Sequence, residues 1–270
     1  MSGSWRWYDF ELGNGGDVLD FIQHETGGTL RDALIWAKQW RAGLPVGARH
    51  ANSPAVDVDA SIGRSRLRLA LKIWRESVSA DGTLAAAYLA QRGLSPSTAT
   101  RFHAACAMKV SEGRYEPFPA MVHSMVDITT GQMRAVHRTF LSYDGRKIAN
   151  IAKRVLGSSS GTAVDLCPEV EVTTGLGITE GVETGLTLVQ RGWRPVWALG
   201  SAGAIARFPV LPGVEALTIF ADHDMAGLSA ARDCATRWLK AGRECRIIPP
   251  RSPGQDWNDV IRTTDDVSEP

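Results

Sequence analysis

Apolar residues first fall into a helical rhythm in TLRDALIWAKQW, where Leu30, Ala33, Leu34, Ala37 and Trp40 share one face and Thr29 is placed to cap it. A Gly-rich turn, GNGGD, and the segment VLDFIQHETGG precede it, making a small first unit over residues 1–42. The rhythm then stops. From Gly43 to Ser65 the residues are small, polar and aperiodic, which predicts a linker over 43–65. Helical spacing resumes in RLRLALKIWRES and TLAAAYLAQRG. It gives way to strand-like runs, PAMVHSMVDI and MRAVHRTFL, joined at a hairpin-like turn, TTGQ. Residues 66–171 are therefore expected to form an α+β unit.

The remainder, 172–270, alternates regularly. GLGIT, PVWAL, ALTIFA and ECRIIP read as strands, and GVETGLTLVQRG, SAGAIARF and MAGLSAARDCATRWLKAG read as helices between them. Such alternation builds βαβ units, so the fold class predicted here is α/β, a parallel sheet with flanking helices. No internal repeat at a fixed period and no low-complexity tract is visible.

Composition narrows the field only a little. Lys and Arg total 30 against 29 acids in 270 residues, which disfavours non-specific coating of nucleic acid but leaves room for a local basic face. The four cysteines, Cys106, Cys167, Cys234 and Cys245, are scattered without a close pair. That argues against a zinc knuckle or a dense disulfide framework and predicts a reducing, cytoplasmic setting. Most of the nine tryptophans lie in helical patterns and read as core or interface. The first residues carry neither the basic nor the apolar block of a secretory leader, and no apolar run approaches the span of a bilayer. No membrane partner is expected.

In parallel α/β sheets, ligands bind beyond the carboxyl ends of the strands. Glu180 directly follows GLGIT; Asp222 and Asp224 follow ALTIFA; Asp256 and Asp259 lie in GQDWND, after ECRIIP and its Pro-rich turn. Acids gathered at one rim would repel one another without a cation between them. Hard divalent ions take oxygen ligands, and Mg2+ commonly uses one or two carboxylates while waters and phosphates complete its octahedron. Asp-x-Asp suits that chemistry, because a turn leaving a strand can aim both side chains to one side. Gly181 and Gly227 would let backbone and helix starts approach a phosphate. Taken singly, the acids have plainer readings. Asp224 reads equally as a helix N-cap, Glu183 as a solvated acid of a first helical turn, and Asp259 as a cap. His223 reads as a side chain turned away rather than a metal ligand. The set carries the metal reading.

ITEGVETGL, ALGSAG, FADHDMAGLSAA and GQDWNDVI, in that order, resemble the Toprim domain, the catalytic fold shared by bacterial-type primases, topoisomerases and some nucleases. They look most like the Toprim domains of phage- and plasmid-type primases, over about Thr173 to Arg262. Upstream, YLAQRGLS, GQMRAVHRTFLSYDGRK and KRVLG are similar to the primase segment that forms the other wall of the template groove. YDFELGNGGDVLDFIQHETGGTLRDALIWA looks like the tail of a primase zinc-binding domain, making residues 1–42 a remnant of that module. The family has a Cys-x-x-Cys pair before Gly-Gly-Asp; here the stretch Phe10-Glu11-Leu12-Gly13-Asn14 has none, so no zinc is expected. Either the module has lost its metal or the first half of an ancestral domain is missing.

The resemblance implies roles. Glu180 would be the acid of the first motif, a metal ligand or general base; Asp222 and Asp224 would hold catalytic Mg2+ (or Mn2+), and Asp256 would be the further ligand. It implies synthesis of a short primer on single-stranded DNA from nucleoside triphosphates at a two-metal site, in DNA replication of phage or plasmid type. LGSSSGT lacks the Gly-Lys-Ser/Thr of a nucleotide-triphosphatase loop and no helicase motor is visible, so a helicase or replication initiator is the expected partner. Among the basic residues Arg134, His137, Arg138, Arg146, Lys147, Lys153 and Arg154, the resemblance favours Arg138, Lys147 and Lys153 as phosphate contacts, against an ordinary solvated surface. Two other readings stay open: a Toprim metal-dependent nuclease, and a catalytically impaired nucleic-acid-binding accessory protein. A topoisomerase would need a tyrosine-nucleophile domain, and the four tyrosines occupy no recognisable one.

Overall fold

The computed structural model describes residues 7–9, 14–26, 30–41, 58–111, 114–148, 153–254 and 257. The chain divides into two compact units, Met1–Val56 and Asp57–Pro270. In the first, β1 (Trp7–Asp9) and β2 (Asn14–Gly16) pair antiparallel and are followed by α1 (Val18–Thr26) and α2 (Leu30–Arg41). Asp17 starts α1. Its Oδ1 accepts from the Leu19 N–H at 2.8 Å, while its own N–H donates to Asp20 Oδ2 at 2.8 Å, so two donors at the helix start are satisfied. Gly-Gly-Asp is thus a strand end followed by a helix cap. Phe10 to Gly13, where the family's cysteine pair would fall, lies outside the described residues.

The second unit opens with α3 (Val58–Glu76), β3 (Val78–Ser79) and α4 (Leu84–Ala90), the last capped by Thr83. Then come β4 (Arg101–Ser111), β5 (Arg114–Asp127), β6 (Met133–Phe140), β7 (Lys153–Gly157) and β8 (Thr162–Asp165). The alternating part follows: β9 (Gly175–Thr179), α5 (Val182–Gln190), β10 (Val196–Ala198), α6 (Ala202–Ala206), β11 (Ala216–Phe220), α7 (Met225–Lys240) and β12 (Glu244–Ile247). Every strand and helix read from residues 172–270 is present. The strands join in one ten-stranded sheet ordered β12-β11-β9-β10-β8-β5-β4-β3, with β6 beside β5 and β7 beside β6. Strands β12, β11, β9 and β10 are mutually parallel, and β8 joins antiparallel to β10 and to the end of β5. The sheet is therefore mixed, and it runs without a break across residue 171.

Three apolar cores flank it. Ala70 and Ile73 of α3 pack on Cys106, Met108, Ala120, Val122, Val136 and Phe140. On another face Tyr88 and Leu89 of α4, with Val182 and Leu186 of α5, share a core with Met121, Met125, Val164, Val196 and Phe220. Beneath α6 and α7, Trp238 and Cys234 meet Ile178, Trp197, Phe208, Leu217 and Ile219. The alternating burial of β11 explains why its apolar run divides between two cores: Leu217 and Ile219 face α7, and Phe220 faces α5.

One expectation changes. Helix α3 begins at Val58, inside the predicted linker 43–65. Its first turn is small and polar in sequence, and the apolar spacing that carries the helix, Leu67, Ala70, Leu71 and Trp74, begins only later. RFHAACAMKVS, which has no clean two-residue alternation, forms strand β4. Pairing with β5 from Arg101↔Val122 to Ser111↔Arg114 holds it despite irregularities of register.

Candidate functional site

Strands β9 and β11 lie side by side in register, with Thr179 opposite Phe220. Glu180 is the next residue on the first strand, and Asp222 follows Ala221 on the second. Neighbouring strands run about 4.8 Å apart, so these acids leave adjacent strand ends at the carboxyl edge of the sheet. Both are half-buried, and Asp222 Oδ1 is closed off from solvent. The loop after β10 closes over the first: the Gly200 N–H donates to the Glu180 carbonyl at 2.8 Å, with Gly200 at φ +85°.

Asp224 is the N-cap of α7. Its Oδ1 accepts from the Gly227 N–H at 2.7 Å, so the plainer reading of this residue is realised in the fold; it remains exposed. Gly227 is there for a close approach. A Cβ at that position would stand 2.6 Å from the Asp222 carbonyl oxygen, so only glycine lets α7 start against the Asp222 loop. Among the described residues, no three His, Cys, Asp or Glu side chains converge as a ready-made metal cluster. Asp256 and Asp259 lie outside the described residues.

Glu183 corrects its sequence reading. It is not a solvated acid: only 5% of it is exposed, and its Oε1 accepts from Tyr88 Oη–H at 3.0 Å and pairs with Lys147 Nζ at 3.4 Å. The signal was present in VETGLTL, residues 182–188, where small and apolar residues leave the helix no polar face; all seven are buried. Gly185 serves the same close packing, since a Cβ there would meet Leu166 Cδ1 at 2.3 Å. A carboxylate buried in this way is tolerable only with a cation and a hydroxyl upon it.

The basic residues expected on the template face divide. Lys147 holds Glu183, in the first turn of α5, and is partly exposed. Arg138 is 8% exposed and turned into the sheet: its Nη1 donates to the Ala107 carbonyl at 3.2 Å and its guanidinium lies 5.2 Å from the Phe140 ring centroid. Every β6 residue from Ala135 to Phe140 is buried, because apolar cores cover both faces of the strand, and Arg138 lies within that run. Lys153 begins β7, its backbone opposite Thr139.

Residues 175–266 match the Toprim domain family, and residues 64–166 match a family described as a domain of unknown function (DUF7146). Comparison with curated proteins finds no match. Among solved structures, the DnaG primase catalytic domain bound to ssDNA is similar with a TM-score of 0.55 at 17% identity, over 75% of this chain and 78% of that one. A DNA primase domain from Pseudomonas aeruginosa is similar with a TM-score of 0.51 at 17% identity, over 73% of this chain and 74% of that one. The DnaG catalytic core gives a TM-score of 0.51 at 15% identity, over 75% of each chain. The chain therefore carries a Toprim domain with a mixed sheet and flanking helices, preceded by a primase-core-like region; at these identities the likeness is one of fold.

Proposed function

We propose that this Toprim-domain protein catalyses divalent-metal-dependent nucleotidyl transfer on single-stranded DNA, synthesising a short primer from nucleoside triphosphates. The observation that carries the reading is the placement of Glu180 and Asp222 on the ends of two neighbouring parallel strands in register, with Asp224 two residues on. The donor set fits Mg2+ or Mn2+: it is made of carboxylate oxygens, with no sulfur or imidazole needed. Asp222, Asp224 and Glu180 would hold the ion, with Asp256 as a further ligand. When bound, such an ion neutralises phosphate charge and lowers the pKa of an attacking hydroxyl. The chain's own residues position the reactants. Asp224 keeps one oxygen on the helix start, which fixes the direction of the other. Lys147, whose charge is shared with buried Glu183, is a candidate phosphate contact. Lys153 is a candidate backbone contact. A helicase or replication initiator would deliver the template.

The cap bond of Asp224 favours a second reading, in which the fold binds nucleic acid with catalysis impaired. Purified protein supplied with Mg2+, the four ribonucleotides and single-stranded DNA should make short products. Asp222→Asn should lower that synthesis by roughly three orders of magnitude while DNA binding persists. DNA degraded without added nucleotides would move the assignment to a nuclease. No synthesis and no degradation by protein that binds DNA would move it to the binding role.

A further inference from the structure

The metal reading leaves His223 without a task, although it stands between the two aspartates. Its ring and its backbone are both tied to one segment. Nδ1 lies 2.7 Å from the carbonyl oxygen of buried Pro250, and the His223 carbonyl accepts from the Gly254 N–H at 2.9 Å. A carbonyl can only accept, so Nδ1 carries the proton and donates. The segment held in this way leaves β12, and it is anchored again beyond Gly254. Trp257 Nε1–H donates to the Ile248 carbonyl at 3.1 Å, and the Trp257 ring meets Phe220 edge-on with centroids 5.8 Å apart. Phe220 is the last residue of β11, two before Asp222. A ring of contacts therefore runs from the end of β11 through His223 to the Pro250–Gly254 turn, on to Trp257, and back to Phe220.

This ring constrains the acids. With the middle residue of Asp222-His223-Asp224 held through both side chain and backbone, the residues flanking it cannot swing as a free loop. Asp224 is fixed a second time by its bond to Gly227. Ordering before binding removes an entropic cost that a mobile loop would meet when an ion draws two carboxylates together. Resting on the metal site proposed above, we infer that His223 is a positioning residue for that site. It does not ligate; it locks the Asp-x-Asp loop to the Pro250–Gly254 turn and so holds Asp222 and Asp224 at ligating spacing. The contact is specific to this chain's choice of histidine, because a side chain without an N–H at that reach leaves the Pro250 carbonyl unmatched.

The test is Mn2+ binding to the full chain, read from the electron paramagnetic resonance of the free ion, with thermal melts alongside. His223→Ala should weaken Mn2+ binding about tenfold, the scale for losing a support behind the ligands. His223→Asn, whose amide N–H can replace the Nδ1 donor, should restore affinity to within about threefold of the parent. Parent-like Mn2+ affinity in His223→Ala would overturn the positioning role and leave the proposed function standing. A folded His223→Asn protein as weak as the alanine variant would overturn it too, by removing the donor as the cause. If the parent protein itself takes up no Mn2+, the metal site fails, and the role of His223 fails with it.

Discussion

Asp224 gives one carboxylate oxygen to the Gly227 N–H and, on the proposed reading, keeps the other for a divalent ion. Substitution separates the two roles, because asparagine caps a helix as well as aspartate does. Asp224→Asn should melt within a few tenths of a kcal/mol of the parent but bind Mn2+ far more weakly, whereas Asp224→Ala should also lose about 1 kcal/mol of stability. Unchanged Mn2+ affinity in the asparagine variant would reduce Asp224 to a cap alone. Glu183 poses a related question in the interior. Lys147→Met leaves it the Tyr88 bond but takes away its cation, and the cost should be about 2 kcal/mol in urea denaturation. Adding Glu183→Gln to that background should recover most of the loss, since the group left behind would no longer be charged. A double mutant as unstable as the two losses summed would show that the pair is not coupled.

At the scale of elements, the last third of the chain was legible because each strand and helix there is continuous in its apolar pattern, and most are set off by a nearby glycine or proline. The order Glu180, Asp222, Asp224 could be read because a parallel sheet places every such strand end on one edge. What could not be read depends on which partners a segment pairs with and packs against. Strand β4 is held by its pairing with β5, Glu183 is buried with Tyr88 and Lys147 upon it, and Arg138 is buried by the cores that cover both faces of β6. The two glycines that bring helices close to the sheet test how local these demands are. Gly227→Ala puts a methyl 2.6 Å from a backbone carbonyl of the Asp222 loop, so α7 must shift, at about 1–3 kcal/mol. Gly185→Ala presses instead on the Leu166 side chain, at 2.3 Å. Both variants should melt earlier, but only Gly227→Ala should also lose Mn2+ affinity. Equal metal affinity in the two would mean that the start of α7 does not set the geometry of the acids.

At the scale of the whole second unit, one sheet passes through both matched regions, 64–166 and 175–266, and β5 is the strand that reaches β4, β6 and β8. His123 sits in the middle of β5, fully buried, with Nε2 3.1 Å from Thr100 Oγ1 and its ring 6.4 Å from that of His137. Burial is the main cause that pushes its pKa down to about 3; the neighbouring His137 adds to the fall and the Glu183 charge opposes it. In the unfolded chain the same group titrates near 6.5. Between those values the unfolded state takes up a proton that the folded state refuses, so stability falls as pH drops from 6.5 toward 3, and the whole of the loss is present below 3. Carboxylates titrate over part of the same range, which makes the difference between variants the useful quantity. His123→Gln cannot be protonated and should be less stable than the parent at pH 7, where it disturbs a packed site. The gap should narrow steadily in urea melts at pH 6, 5 and 4. Because β5 joins the two regions, the narrowing should appear equally in tryptophan fluorescence, to which Trp193, Trp197, Trp238 and Trp257 of the Toprim region contribute alongside the other five tryptophans, and in the far-ultraviolet signal of the entire sheet. A gap that stays constant with pH would mean that His123 takes up its proton within the folded protein, and that the buried join between the regions is open to water.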